Sequence, residues 1–187
     1  MFVRTERLLL RPAWPEDLGE LRELLSAEYL DASLDPALLS QLDSELEAFV
    51  MRPHEPLYPH FLITLLDSGK TRPIGNASLR QAGDAVELGY WIARPFRGSG
   101  YGEEAVLAIL EHARSLGHRR IEAWHFNENE ASGKVLQHCG FEPTGKQRDQ
   151  YNSMLKFVMP ADVYAADLAK LPARQVVTPT QQQTASD

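Results

Sequence analysis

The chain has 187 residues, 43% of them hydrophobic and 24% charged, with a formal net charge of −7, which predicts one soluble globular domain with a buried core. The acidic balance and the absence of a Lys/Arg stripe argue against nucleic-acid binding, and no apolar run approaches the roughly 20 residues of a membrane span. The lone Cys139 excludes an internal disulfide and a zinc site of paired cysteines. With no signal-peptide pattern at the N-terminus, we expect a cytoplasmic protein that holds no metal.

The first third of the chain predicts a strand, two helices and a loop, and the frequent change of hydrophobic period is typical of a mixed α/β protein. Residues 4–11, RTERLLLR, predict the first strand. Pro15 and Pro36 each predict the start of a helix, because proline is well tolerated at the first helical position. The stretch 52–60, RPHEPLYPH, contains three prolines and predicts an irregular loop.

The remaining elements alternate between short strands and helices. Strands are predicted over 61–66, 74–79 and 86–92, and a turn at Gly83-Asp84 joins the last two. The apolar stripe of 102–116 predicts the clearest helix, with Gly117 as its stop. A strand at 120–124, a helix at 131–138, a strand from 141 onward and a strand at 154–159 follow. We therefore expect a domain over 1–160 and a C-terminal extension over 161–187, flexible from about residue 172 because it is polar and aperiodic there.

Three glycines at every second position, Gly98, Gly100 and Gly102, join the strand at 86–92 to the helix that follows. The first N–H groups of a helix have no internal partner, and the helix dipole adds positive potential there. Glycine lets the backbone approach a ligand closely, and Arg97 adds a charge. This stretch can therefore either bind a phosphate or pyrophosphate or merely connect strand to helix. The P-loop and dinucleotide patterns both fail at Glu103, which leaves the spacing R-x-x-G-x-G.

This spacing and three further stretches resemble the GNAT superfamily of acetyl-CoA-dependent N-acetyltransferases, and within it the RimJ/RimL-like branch. The stretches are TERLLLRPAWPED (5–17), VELGYWIARPFRGSGYGEEA (86–105) and NENEASGKVLQHCGFEPTG (127–145). The resemblance covers residues 4 to about 160. It implies an α/β fold with a mixed sheet of about seven strands, a splayed central pair and helices on both faces.

The resemblance also implies a binding site for acetyl-CoA, whose pyrophosphate the glycine stretch would hold and whose pantetheine would lie along the strand at 86–92. The residues expected to bind this co-substrate are Trp91, Ile92, Arg97, Gly98, Ser99, Gly100, Tyr101, Gly102, Asn129 and Ser132. The expected reaction is direct attack of a primary amine on the thioester in a ternary complex. The alternative is a CoA-binding sensor or interaction domain without turnover.

Acetyl transfer requires removal of the amine proton and stabilisation of the departing thiolate. Glu87 is the first candidate for the base; otherwise it is an edge or surface carboxylate. Ser132 is a candidate proton donor or, alternatively, an N-cap serine. Tyr151 is a second candidate donor, and His125 is a further candidate that is more commonly structural. Cys139 is expected to pack as a small apolar group.

The acceptor is expected to be a protein N-terminus or a small amine. From Glu23 to Met51 the chain has seven acidic residues and no Lys, Arg or His. In the family this region forms a wall of the acceptor cleft, so Glu28 and Asp31 are candidate contacts for a cationic amine. The acids can equally form a solvated helix face, in which case His54 and Tyr58 of the loop are the candidates. Family membership also makes a homodimer possible.

Overall fold

The structure is a computed structural model that describes residues 1–29, 36–67, 70–152 and 157–173. Within these residues eight strands form one mixed sheet in the order β1-β2-β3-β4-β5-β6-β8-β7. The strands are β1 Val3–Arg4, β2 Leu8–Arg11, β3 His60–Asp67, β4 Lys70–Ala82, β5 Ala85–Ile92, β6 Arg120–Phe126, β7 Glu142–Asn152 and β8 Phe157–Asp167. The helices are α1 Leu18–Tyr29, α2 Pro36–Val50, α3 Tyr101–Ser115 and α4 Glu130–His138.

The predicted α/β class and the predicted helices on both faces are confirmed. The larger apolar cluster packs α3 and α4 against one face of the sheet, and it includes Ile109 of α3, Leu136 of α4 and Leu88 of β5. The smaller cluster packs Leu21 of α1 and Leu46 of α2 against Leu62 of β3 on the other face. No helix in the described ranges is both long and apolar enough to span a bilayer.

The predicted bounds are wrong for the first and last strands. The stretch 4–11 is a hairpin of β1 and β2, because the Thr5 hydroxyl accepts the Leu8 N–H at 2.9 Å and closes a turn. This split gives eight strands instead of about seven. The last strand continues to Asp167 rather than ending at residue 159, because Ala161, Val163 and Ala166 are buried along it. The sheet therefore extends past residue 160, while 174–187, most of the predicted tail, lie outside the described residues.

The predicted splayed pair is β5 and β6, the parallel neighbours in the middle of the sheet. They pair only at Glu87 with Glu122 and at Leu88 with Ala123. Beyond that point β5 continues to Ile92 and β6 to Phe126 without pairing with each other. The gap between their C-terminal halves leaves one edge of β5 open to a ligand.

Candidate active site

The glycine loop, residues 93–100, leads from the open half of β5 into α3. After a short 3-10 turn at Arg94–Phe96, Gly98 and Gly100 adopt φ of +76° and +80°, a left-handed conformation that other residues rarely adopt. The first intrahelical bond of α3 runs from the Glu104 N–H to the Gly100 carbonyl, 3.1 Å. The preceding N–H groups have no partner inside the helix and form a potential anion site.

Arg7 braces this loop from the β1–β2 hairpin, and the sequence analysis missed it. Its Nη1 donates to the Ser99 carbonyl at 3.0 Å and its Nε donates to Glu104 Oε2 at 2.7 Å. Its guanidinium carbon also lies 4.6 Å from the centroid of the Tyr101 ring. The loop is therefore held in shape by a residue remote in sequence. Arg97 adds a second tie, since its Nε donates to the Ile92 carbonyl at 2.8 Å.

Acid should weaken this brace. Burial would raise the pKa of Glu104, but hydrogen bonds from Thr5 and Arg7 outweigh it and hold that pKa below its ordinary value. Since the folded-state pKa is the lower one, the stabilisation is present above about pH 4.3, the ordinary value of glutamate, and is lost as pH falls through the folded pKa. We expect Glu104→Gln to lower the free energy of unfolding at pH 7 by about 1 kcal/mol, and the difference from wild type to disappear in acid.

Urea titrations at several pH values measure this difference. Glu103→Gln is the matched control, because Glu103 is the adjacent residue and its only ionic neighbour among the described residues is His138 at 3.6 Å. A pH-independent deficit in Glu104→Gln would show that the carboxylate charge contributes nothing to the brace.

A cavity of about 370 Å³ lies between the open half of β5, the glycine loop and the start of α4. It brings together all the residues predicted to bind acetyl-CoA except Ser99, whose carbonyl instead binds Arg7. A Cβ atom on Gly102 would lie 3.4 Å from Cε2 of Tyr90 and 3.7 Å from Cγ1 of Ile92, so the missing side chain leaves space at the cavity wall. The lining residues are Tyr90, Trp91, Ile92, Arg97, Gly98, Gly100, Tyr101, Gly102, Glu103, Asn129, Ala131, Ser132 and Val135.

Three residues of this cavity carry a hydroxyl group, Ser132, Tyr90 and Tyr101, and the Tyr101 ring lies against the guanidinium group of Arg7. Asn129 is the N-cap of α4, and its Oδ1 accepts the Ser132 N–H at 3.2 Å, so the alternative interpretation of Ser132 as the N-cap is wrong. Burial raises the pKa of the Tyr90 phenol, and the neighbouring Ser132 side chain offsets part of that rise. No described residue makes a well-formed hydrogen bond with the Tyr90 hydroxyl, which leaves its proton available to a ligand.

The sequence analysis missed Tyr90, although strand alternation predicts which face of β5 its side chain lies on. It alternates with Gly89 and Trp91 along β5, so its side chain lies on the same face as Leu88 and Ile92, where α3 and α4 pack.

Glu87 lies on the opposite face of β5, in an ion-paired cluster. Its side chain is only 3% exposed. One carboxylate oxygen contacts Nη2 of Arg80, and the other accepts a hydrogen bond from Nη1 of Arg148. Because both oxygens already face guanidinium groups, these contacts favour a role in holding the arginines over the predicted role as base.

The other catalytic candidates are placed away from the cavity lining. Tyr151 is 59% exposed near the end of β7. His125 packs beneath α4, where a Cβ atom on Gly133 would lie 2.7 Å from its Nε2, and its Nδ1 is 2.8 Å from the Phe126 carbonyl. Cys139 is 2% exposed within the main core, as its predicted packing role requires. No three His, Cys, Asp or Glu residues in the described ranges are grouped to hold a metal ion.

Neither Tyr58 nor His54, the two candidate acceptor residues whose side chains the structure describes, lines the cavity. The ring centroid of Tyr58 is 5.8 Å from that of His118, beyond the end of α3 opposite the glycine loop, and His54 lies in the same exposed loop. Asp31 and the side chain of Glu28 lie outside the described residues. Two other acids of the stretch, Asp43 and Glu47, pair with Arg22 at 2.7 and 3.2 Å, so the acidic charge is partly neutralised within the α1–α2 pair.

Comparison with known proteins identifies the family to which this chain belongs. The curated N-acetyltransferase YycN of Bacillus subtilis (strain 168), itself uncharacterised, is 33% identical over 61 residues, which are 33% of this chain and 39% of that protein. The match thus spans less than half the length of this relative.

Two solved structures share the fold. The microcin C7 self-immunity acetyltransferase MccE, in complex with acetyl-CoA and AMP, matches with a TM-score of 0.69 and 18% identity over 87% of this chain and 93% of that one. RimL, a ribosomal L7/L12 alpha-N-protein acetyltransferase in complex with coenzyme A, matches with a TM-score of 0.64 and 19% identity over 89% and 98%. A family profile described as the acetyltransferase (GNAT) domain covers residues 7–142, more than half of the chain. The chain therefore belongs to the GNAT acetyltransferase family.

Proposed function

We propose that this protein transfers the acetyl group of acetyl-CoA to a primary amine. The observation that carries the proposal is the cavity of about 370 Å³ in which a glycine loop, a helix N-terminus and an unpaired strand edge meet. The N–H groups of the glycine loop and the helix N-terminus match the pyrophosphate of the co-substrate. The open strand edge matches the amide-containing pantetheine, and the cavity offers space for the thioester. Acetyl-CoA supplies the activated acetyl group when it is bound.

The backbone positions the co-substrate in this proposal. The N–H groups at the start of α3 would hold the phosphates, and the Arg7 brace keeps them pre-oriented. The open edge of β5 would bind the pantetheine arm, which brings the thioester to the middle of the splayed strands. Placing two reactants in this way can supply much of the rate enhancement, because it removes the entropic cost of bringing them together.

The hydroxyls of Ser132 and Tyr90 would stabilise the departing sulfur. Both residues line the cavity, and a phenol with a raised pKa remains protonated at neutral pH and can donate. The amine proton would leave through water, since Gly89, near the middle of β5, is exposed and carries no side chain to exclude it. An α-amine, with a pKa of about 7.7–8.0, needs less help here than a lysine-like amine at about 10.4.

Thiol-release kinetics against a panel of amines and N-terminal peptides test the proposal. We expect Ser132→Ala and Tyr90→Phe each to lower kcat about tenfold or more, with little change in acetyl-CoA affinity, because loss of one donor acts on the developing charge. Tyr151→Phe should leave kcat near wild type, since Tyr151 does not line the cavity.

The opposite pattern, a large loss in Tyr151→Phe alone, would transfer the donor role to Tyr151. If calorimetry shows that acetyl-CoA binds but no amine in the panel causes release of free CoA thiol, the CoA-binding sensor is favoured instead.

A further inference from the structure

We propose that Arg148 binds an oxyanion, a carboxylate or a phosphate, carried by the amine acceptor. This inference rests on the proposed function and narrows its substrate class to small amines that carry an anionic group. Arg148 lies on β7 and reaches the face of the sheet opposite α3 and α4, next to the point where β5 and β6 separate.

The position of Arg148 follows from three contacts on this face. Its Nη1 donates to Glu87 of β5, and its guanidinium carbon lies 5.3 Å from the centroid of the Trp124 ring on β6. Strand alternation places Gly89 and Trp91 on the same face as Glu87. Arg148 therefore contacts both β5 and β6 next to the point where these strands separate. An acceptor would reach the thioester through the gap between them.

The unused edge of this guanidinium is the main observation. Nε and Nη2 of Arg148 are buried and make no hydrogen bond with any described residue. These two N–H groups point the same way, and together they form the edge that binds carboxylate and phosphate in a bidentate manner. Buried donors without a partner are unfavourable, so a ligand that supplies two oxygens there removes that cost.

The local charge also favours an anion. Around Glu87 and its register partner Glu122 lie three arginines, because Arg80 and Arg148 pair with Glu87 and Arg120 pairs with Glu122 at 3.3 Å. The cluster thus carries three guanidinium groups and two carboxylates. Arg80 is 58% exposed and adds donors at the rim, so the group keeps one excess positive charge for a ligand.

The binding step can be tested without turnover. In the nitrogen-15 spectrum of arginine side chains, the Arg148 Nε–H signal is identified by its absence in Arg148→Lys. We expect titration with inorganic phosphate or acetate to shift this signal saturably and to leave that of Arg22, already bound to Asp43, unmoved. The proposal is overturned if the Arg148 signal does not shift on addition of either anion, or if it shifts only as much as the Arg22 signal.

Selectivity gives the second test. Alanine is compared with alaninamide, and O-phosphoethanolamine with ethanolamine, so that the carboxylate and phosphate sources are separated. We expect wild type to prefer an anionic member in kcat/KM, and Arg148→Lys to reduce that preference about tenfold, because lysine keeps the charge but loses the bidentate edge. Arg119→Lys, an exposed arginine beside β6, is the matched control and should keep the preference.

Equal kcat/KM for both members of each pair in wild type overturns the proposal, as does a preference that Arg148→Lys leaves intact. Failure of every amine to release thiol would count against the proposed acetyl transfer, while the anion titration would still decide the oxyanion site.

Discussion

Replacing Gly102 with valine will weaken acetyl-CoA binding at least about 100-fold while leaving the protein folded. A Cβ atom at this position meets only Tyr90 and Ile92, at ordinary contact distances of 3.4 and 3.7 Å, so the free protein accepts it. We expect the two further methyl groups to take up cavity space beside the start of α3, because Gly102 lines the cavity. Overpacking of about 3 kcal/mol corresponds to roughly a hundredfold in affinity.

Isothermal calorimetry measures the affinity, and circular dichroism confirms the fold. The matched control is Gly19→Val, because Gly19 is the second residue of α1 as Gly102 is of α3, and a Cβ atom there meets nothing within 4 Å. Near-native affinity in Gly102→Val would exclude this cavity as the acetyl-CoA site.

Replacing Glu87 with glutamine should show that this residue stabilises the fold and does not act as the catalytic base. We expect the free energy of unfolding to fall by about 2–3 kcal/mol, because two guanidinium groups lose their charged partner. Breaking a fully buried pair costs about 3–5 kcal/mol, and the 58% and 30% exposure of the Arg80 and Arg148 side chains reduces the effect. The pH–rate profile should keep its shape, since the amine proton passes to water.

Urea unfolding and the pH dependence of kcat/KM give the two readouts. Glu122→Gln provides the control on the neighbouring strand, where the carboxylate is more exposed and has one arginine at 3.3 Å; its cost should be smaller. If Glu87→Gln is as stable as wild type and its activity recovers only at high pH, Glu87 is the base, as the sequence analysis expected.

Features encoded in contiguous residues could be predicted. The glycine loop, the start of α3 and the alternation along β5 depend on local geometry, and the cavity assembles from them much as expected. The contacts of Arg7 and Arg148 could not be read in this way, because their partners are remote: Arg7 and Glu104 are 97 residues apart, and Arg148 and Glu87 are 61 apart. Such pairs depend on which helices and strands become neighbours in the fold, which no local pattern specifies.

The same limit applies to the predicted roles of single residues. Glu87 sits on the strand that would carry the thioester, as a base should, but its character depends on arginines from β4 and β7 that only the folded sheet brings to it. Ser132 was a plausible N-cap for α4, and only the observed bond from the Ser132 N–H to Asn129 Oδ1 shows that Asn129 is the N-cap instead.

The position of β8 has a consequence for biosynthesis. β8 pairs with β6 on one side and β7 on the other, so the last of the eight described strands in chain order is an interior strand. Until residues 157–167 emerge, β6 lacks this neighbour and β7 has no strand to join. A nascent chain therefore exposes unpaired strand edges from the completion of β6 at residue 126 until β8 is made, the condition under which partly folded chains aggregate. Completion of the sheet waits for β8, the last of the eight described strands in chain order.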